Sequence, residues 1–149
     1  MKKPVAFYLR VSTKQQSTDA QLAELTQLAE RRGWKYEVFC DQGQSGVKES
    51  RPAFDRMMKE VRRGRFAAIC IFALDRLARS LRQLLDVSAE LQRLNVDLVA
   101  VNQDLDTGSA SGRVVYGVLS IVAEFERELL RERVRSGMAQ ARRSRLRRT

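Results

Sequence analysis

Apolar residues along this chain fall into two rhythms, short unbroken runs and helical stripes, and the two alternate. Val5–Leu9 is an unbroken run and reads as a buried strand ending in Arg10 and a Ser12-Thr13 pair. After a polar loop, Thr18 or Asp19 is the expected cap of a helix whose face is Leu22, Leu25, Leu28 and Ala29, closed by Gly33. A strand is expected at Tyr36–Cys40, and Asp41 to Arg51, polar and without periodicity, as a mobile loop. Pro52 fits the first turn of a helix running to Arg63, with Phe54, Met57, Met58 and Val61 as its core face and Gly64 behind it. Ala67–Ala73 is typical of a strand buried on both faces of a parallel sheet. A helix to about Leu94 follows, with Leu81, Leu84, Leu85, Val87, Ser88 and Leu91 along it, then a break at Asn95 and a fourth strand at Asp97–Val101. Strands alternating with helices predict a parallel α/β sheet with right-handed crossovers.

The last third changes character. After a polar loop at Asn102–Gly112, some 35 residues run without proline, enough for a helix of about 50 Å. Val115, Val118, Val122, Phe125 and Leu129 step by 3, 4, 3, 4, the spacing of a heptad seam, and Val114, Ile121 and Leu130 widen the stripe. Part of such a stripe can pack on the chain's own sheet. The helix outruns a body this small, however, so self-association is the better reading. Beyond Leu130 the stripe fades into Arg131, Arg133, Arg135, Arg142, Arg143, Arg145, Arg147 and Arg148. The organisation expected is therefore an α/β core over 1–111, an oligomerisation helix over 112–135 and a basic arm over 136–149. The arm is expected to fray in the free protein, with Gly137 its bending point.

Charge sharpens the picture. With 28 Lys and Arg against 18 Asp and Glu, the net charge is +10, which points to a polyanion partner, nucleic acid first and an anionic membrane surface second. The arginine run suits phosphate contacts that hold a nucleic acid without reading its sequence. No apolar run approaches a membrane span and no signal-peptide pattern opens the chain, so the expected place is the cytosol. Cys40 and Cys70 sit in apolar runs and are expected to be reduced core residues. Histidine is absent, which removes Ser-His-Asp catalysis and histidine zinc sites. No phosphate-binding glycine loop of the nucleotide-hydrolysing type is present, and Asp104 and Asp106 are only a loop pair, so neither a nucleotide nor a metal is expected.

Chemistry must then run on Ser, Arg, Lys and carboxylates. In an open α/β sheet ligands gather at the carboxyl ends of strands. There the sequence sets Arg10 and Ser12 after the first strand and Asp75, Arg76 and Arg79 after the third; if that third segment is helical, the two arginines share a face. Arg51 ends the polar loop, and the long helix carries Glu126, Arg127, Glu132 and Arg133. Singly, each is an ordinary turn, cap or surface residue. Together they suit phosphoryl transfer. A serine needs activation, and guanidiniums hold the charge gathering on a phosphodiester by bidentate contacts while staying protonated.

Four blocks carry a closer likeness: Tyr8-Leu9-Arg10-Val11-Ser12-Thr13 with Gln15 and Gln16; Ser50-Arg51-Pro52; Leu74-Asp75-Arg76-Leu77-Ala78-Arg79-Ser80; and Ala123-Glu124-Phe125-Glu126-Arg127 with Glu132-Arg133. In order and spacing the chain resembles the catalytic domain of the resolvase/invertase family of serine recombinases. The resemblance implies the family's parallel-sheet fold with a long carboxyl-terminal helix, and Ser12 as a nucleophile forming a 5′-phosphoserine link without ATP or cofactor. It implies Arg10, Arg51, Arg76, Arg79, Arg127 and Arg133 around the scissile phosphate of double-stranded DNA. Asp75 is implied as the active-site carboxylate, and Gln16 and Gln21 as accessory polar residues. It also implies a homodimer, a homotetramer during recombination, and a further DNA-binding domain that these 149 residues do not include. Ala78 departs from the glycine common there. The competing reading is a catalytically silent, oligomeric DNA-binding protein, for which Ser12 would be unnecessary.

Overall fold

A computed structural model describes residues 2–11, 15–42 and 50–148, without the side chains of residues 15–17. The elements are β1 (Val5–Val11), α1 (Gln15–Arg32), β2 (Tyr36–Gln42), α2 (Pro52–Arg62), β3 (Ala68–Ile71), α3 (Leu74–Leu77), α4 (Leu81–Arg93), β4 (Asp97–Ala100), β5 (Leu105–Asp106) and α5 (Ala110–Arg147). The sheet order is β2-β1-β3-β4-β5. The first four strands are parallel, and β5 runs antiparallel to β4.

The period-two alternation of buried strands divides the core in two. Val5, Phe7, Leu9, Cys70 and Val99 point to one face, where Leu25 and Ala29 of α1 cover them. Ala6, Tyr8, Phe39, Ile69, Ile71 and Leu98 point to the other, against Met57, Met58 and Val61 of α2, Leu91 of α4 and Tyr116 of α5. Both faces of β1 and β3 are closed, which is why those runs are apolar without interruption. The helix stops are as read: Gly33 and Gly64 hold φ of +66° and +80°, and Asn95 takes φ of 56°.

Four expectations need correction. Helix α1 begins at Gln15, ahead of Thr18 and Asp19, because two good helix formers carry the first turn past those cap positions. Strand β2 continues to Gln42, since β1 offers Arg10 and Val11 as partners to Asp41 and Gln42. Asp41 is thus a strand residue. Residues 43–49 of the expected loop lie outside the described residues. The segment after β4 holds the two-residue strand β5, too short for any periodicity to show. Cys70 is buried, but Cys40 is exposed. It lies on the edge strand with Tyr36 and Val38, on the side facing α1, and α1 packs on β1.

Helix α5 sorts its apolar residues by position. Gly112, Tyr116, Leu119 and Ala123, spaced 4, 3, 4, turn toward the body. Val114, Val118, Ile121 and Phe125, with the same spacing two residues on, are 54–68% exposed. Two residues are about 200° of helix, so the sets occupy opposite sides. Of the expected seam, Val115 (39%), Val118 and Phe125 are exposed, while Val122 and Leu129 are half-buried. Everything described from Arg131 onward is exposed, and helix α5 is continuous through Gly137 to Arg147.

Candidate active site

The site grows from a polar group inside an apolar strand. Tyr8 is fully buried, so its hydroxyl must find partners. It donates to Asp41 Oδ2 at 2.9 Å and accepts from Arg51 Nε at 3.1 Å. Asp41, buried at the end of β2, also accepts the backbone N–H groups of Ala53 (2.8 Å) and Phe54 (3.0 Å). Helix α2 starts with Pro52, which has no N–H, and Arg51 supplies no side-chain cap. A carboxylate from another element therefore takes the first free amides, where the helix dipole favours negative charge. Burial is the main reason the Tyr8 phenol is pushed up to about 12; Arg51 pulls the other way and Asp41 adds to the rise.

Arg51 is itself buried, an expensive place for a guanidinium. Besides Tyr8 it reaches the Leu77 carbonyl through Nη2 at 2.5 Å, and its Cζ lies 4.0 Å from the centre of the Phe54 ring and 5.1 Å from that of the Tyr8 ring. These contacts fix the fork and leave one nitrogen over. Nη1 is buried with no partner among the described residues. A charged donor held in place and left unpaired costs on the order of 1–3 kcal/mol, a cost that an anion arriving there would relieve.

The Leu77 carbonyl ties Arg51 to the short helix α3, so β1, the start of α2 and the segment after β3 meet at the carboxyl edge of the sheet. Arg10, half-buried, lies two residues beyond Tyr8 on β1. Asp75 is exposed and Arg76 half-buried on α3. The helix stops at Leu77, and Ala78 is extended at φ −139°, ψ 148°. Arg79 is therefore not on a helical face with Arg76, correcting that expectation. The same dihedrals explain why alanine serves at position 78, because they lie in the β region open to every residue. Ser12 lies outside the described residues, as does the side chain of Gln16. Gln21 is buried on α1.

Arg127 stands elsewhere. It is exposed on α5, lining a cleft with Ala89, Gln92 and Arg93 of α4 and with Ser120. Arg133 is on the outlying part of the helix, as are Arg135, Arg142, Arg143, Arg145, Arg147 and Arg148, all exposed. Sequence reasoning missed Asp41 and gave Tyr8 no role. The usable signal was a tyrosine in an otherwise apolar strand, whose hydroxyl had to be answered by a buried polar residue.

Residues 5–145 match the family described as the resolvase N-terminal domain. The chain belongs to this family of serine recombinases. Among its relatives are the transposon Tn917 resolvase of Enterococcus faecalis, 31% identical over 91% of this chain and 69% of its own length, and the DNA-invertase hin of Salmonella typhimurium, 37% identical over 91% and 67%. The serine recombinase gin of Escherichia phage Mu is 34% identical over 91% of this chain and 66% of its own length. The chain thus spans about two thirds of such relatives. Among solved structures, the N-terminal catalytic domain of TP901-1 integrase superposes with a TM-score of 0.73 at 39% identity, covering 85% of this chain and 98% of that one. A resolvase-family site-specific recombinase from Streptococcus pneumoniae gives 0.72 at 31% identity, covering 95% and 99%. The α/β fold with its long final helix is that of these recombinase domains. No described helix of this family member is long and apolar enough to cross a membrane.

Proposed function

We propose that this serine recombinase domain performs site-specific DNA recombination with Ser12 as its nucleophile. Ser12 Oγ attacks a DNA phosphorus, a serine–phosphate bond forms to the 5′ end, and the bond to the 3′ oxygen breaks to leave a 3′ hydroxyl. After exchange, a 3′ hydroxyl attacks the phosphoserine, re-forms the diester and returns the serine. The phosphodiester energy is kept throughout, so neither ATP nor a cofactor enters. Arg10, Arg51, Arg76 and Arg79 hold the non-bridging oxygens as charge gathers on them. Asp75 is the active-site carboxylate, Gln16 and Gln21 assist beside the serine, and Arg127 and Arg133 join from α5.

The observation that carries the reading is Arg51. Its guanidinium is buried and oriented by Tyr8 and Leu77, and its Nη1 has no partner among the described residues at the strand edge that leads into Ser12. A merely architectural DNA-binding protein could hold phosphate with such a group but would have no need of Ser12. The exposed stripe of α5 supports a homodimer, and a tetramer when two sites are joined. The basic end of the helix supports phosphate contacts on double-stranded DNA.

The test joins the chain behind Thr149 to a zinc-finger array that supplies a known site. The fusion is then incubated with supercoiled DNA carrying that site. Protein linked covalently to 5′ ends is expected, and none with Ser12→Ala, which should still bind. Cleavage that survives Ser12→Ala, or that requires magnesium, overturns the assignment.

A further inference from the structure

The stretch from Leu74 to Arg79 carries Asp75, Arg76 and Arg79, yet it has little regular structure of its own. Helix α3 is four residues long, and its N-cap, Ala73, has no side chain able to cap it. Such a segment keeps its shape only if its backbone groups are answered from outside. Three of them are. The Leu74 N–H donates to Gln103 Oε1 at 3.2 Å, the Leu77 carbonyl accepts from Arg51, and the Arg79 N–H donates to Gln83 Oε1 at 2.9 Å.

Both glutamines are themselves anchored. Gln103 sits in the turn after β4, where Asn102 N–H donates to the Phe72 carbonyl at 2.7 Å and Asp104 takes φ of 50°. The turn is thereby tied to the end of β3, from which α3 departs. Gln83 is in the first turn of α4, and its own N–H donates to Ser80 Oγ at 3.1 Å. Ser80 and Gln83 are a serine and a glutamine three apart, as in a capping box, with the glutamine reaching one residue further back, to Arg79.

We infer that Gln83 and Gln103 are positioning residues for the reaction, holding the two ends of the segment that presents Asp75, Arg76 and Arg79 to the scissile phosphate. The inference rests on the proposed recombinase chemistry. Gln103 is exposed and Gln83 only half-buried, so neither is needed to fill the core. A displacement of about 1 Å in a reacting constellation costs up to a hundredfold in rate, and loss of one tether shifts the segment by a fraction of that.

The experiment uses the same fusion protein and compares methionine, which keeps the length and loses the acceptor, with glutamate, which keeps the acceptor. Gln83→Met and Gln103→Met should each slow formation of the covalent Ser12–DNA species about tenfold at saturating DNA. DNA affinity and melting temperature should stay as in the parent, and Gln83→Glu and Gln103→Glu should restore the rate. Amide hydrogen exchange gives a readout independent of activity: Gln103→Met should speed exchange at Leu74 and Gln83→Met at Arg79. Unchanged exchange at those amides overturns the tethers. Faster exchange with an unchanged cleavage rate overturns their part in positioning, and so does a rate loss that follows melting temperature in the glutamate variants too. A parent protein that forms no link through Ser12 refutes the recombinase reading instead, while the exchange measurement still judges the tethers.

Discussion

One methyl group placed at two glycines of the same helix should act with opposite sign. Gly112 is buried in the first turn of α5, and a Cβ built there would lie 1.7 Å from the Asp106 carbonyl oxygen, 2.4 Å from its carbon and 2.7 Å from Thr107 Cα. All three are backbone atoms, so no side chain can swing away; the helix terminus must retreat by more than about 1 Å. The oxygen it strikes is the one that accepts from Ser109 N–H (3.0 Å) and Ser109 Oγ (2.6 Å), and that same Oγ caps the helix at Gly112 N–H (3.0 Å). Overpacking of about 1–3 kcal/mol and the loss of one or two hydrogen bonds worth about 1 kcal/mol each put the cost of Gly112→Ala near 3–4 kcal/mol. For a domain of this size that lowers the melting temperature by about 10 °C. Gly117 has nothing within 4 Å of its Cβ position, so Gly117→Ala should gain about 0.5–1 kcal/mol of helix propensity and raise the melting temperature by a few degrees. Thermal melts followed by far-ultraviolet circular dichroism decide it. A Gly112→Ala protein melting within about 2 °C of the parent would refute the close approach of α5 to β5, and with it the placement of the helix that carries Arg127.

Three further outcomes are expected. Burial pushes both Tyr8 and Tyr116 up to about 12 from 10.0, so their stabilising contribution is intact below pH 10 and is lost as pH rises through 12; tyrosinate absorbance from these two should appear only as the fold opens, and early ionisation would contradict their burial. Ile121→Asp with Phe125→Asp places charge on the outward stripe and should yield monomers in sedimentation without lowering the melting temperature, whereas an unchanged mass would show that the stripe is not the contact. Replacing Arg142, Arg143, Arg145, Arg147 and Arg148 by glutamine should flatten the log–log salt dependence of DNA binding by a few units, since each phosphate neutralised contributes about 0.9, and an unaltered slope would mark the arm as a solvated tail.

What the sequence determined by itself was whatever depends on neighbours within a few positions. The unbroken runs at Val5–Leu9 and Ala67–Ala73 declared buried parallel strands because both their faces are covered. Gly33, Gly64 and Asn95 declared helix ends because they tolerate positive φ. The 3, 4, 3, 4 spacing on α5 and the four blocks of Ser, Arg and Asp residues were legible for the same reason, since period and order need no third dimension. Only the tertiary structure decided how distant groups answer one another. Asp41 looked like the start of a polar loop until strand pairing with Arg10 drew it into β2, where it meets Tyr8 and the amides of α2. Cys40 looked like core until the strand order left β2 at the sheet's edge. Arg76 and Arg79 would share a face only if their segment were helical, and Ala78 proved extended. Of the two apolar stripes on α5, sequence periodicity could not say which one the body would take, because both repeat alike; packing against α4 and β5 gave the body Tyr116 and Ala123 and left Ile121 and Phe125 outside.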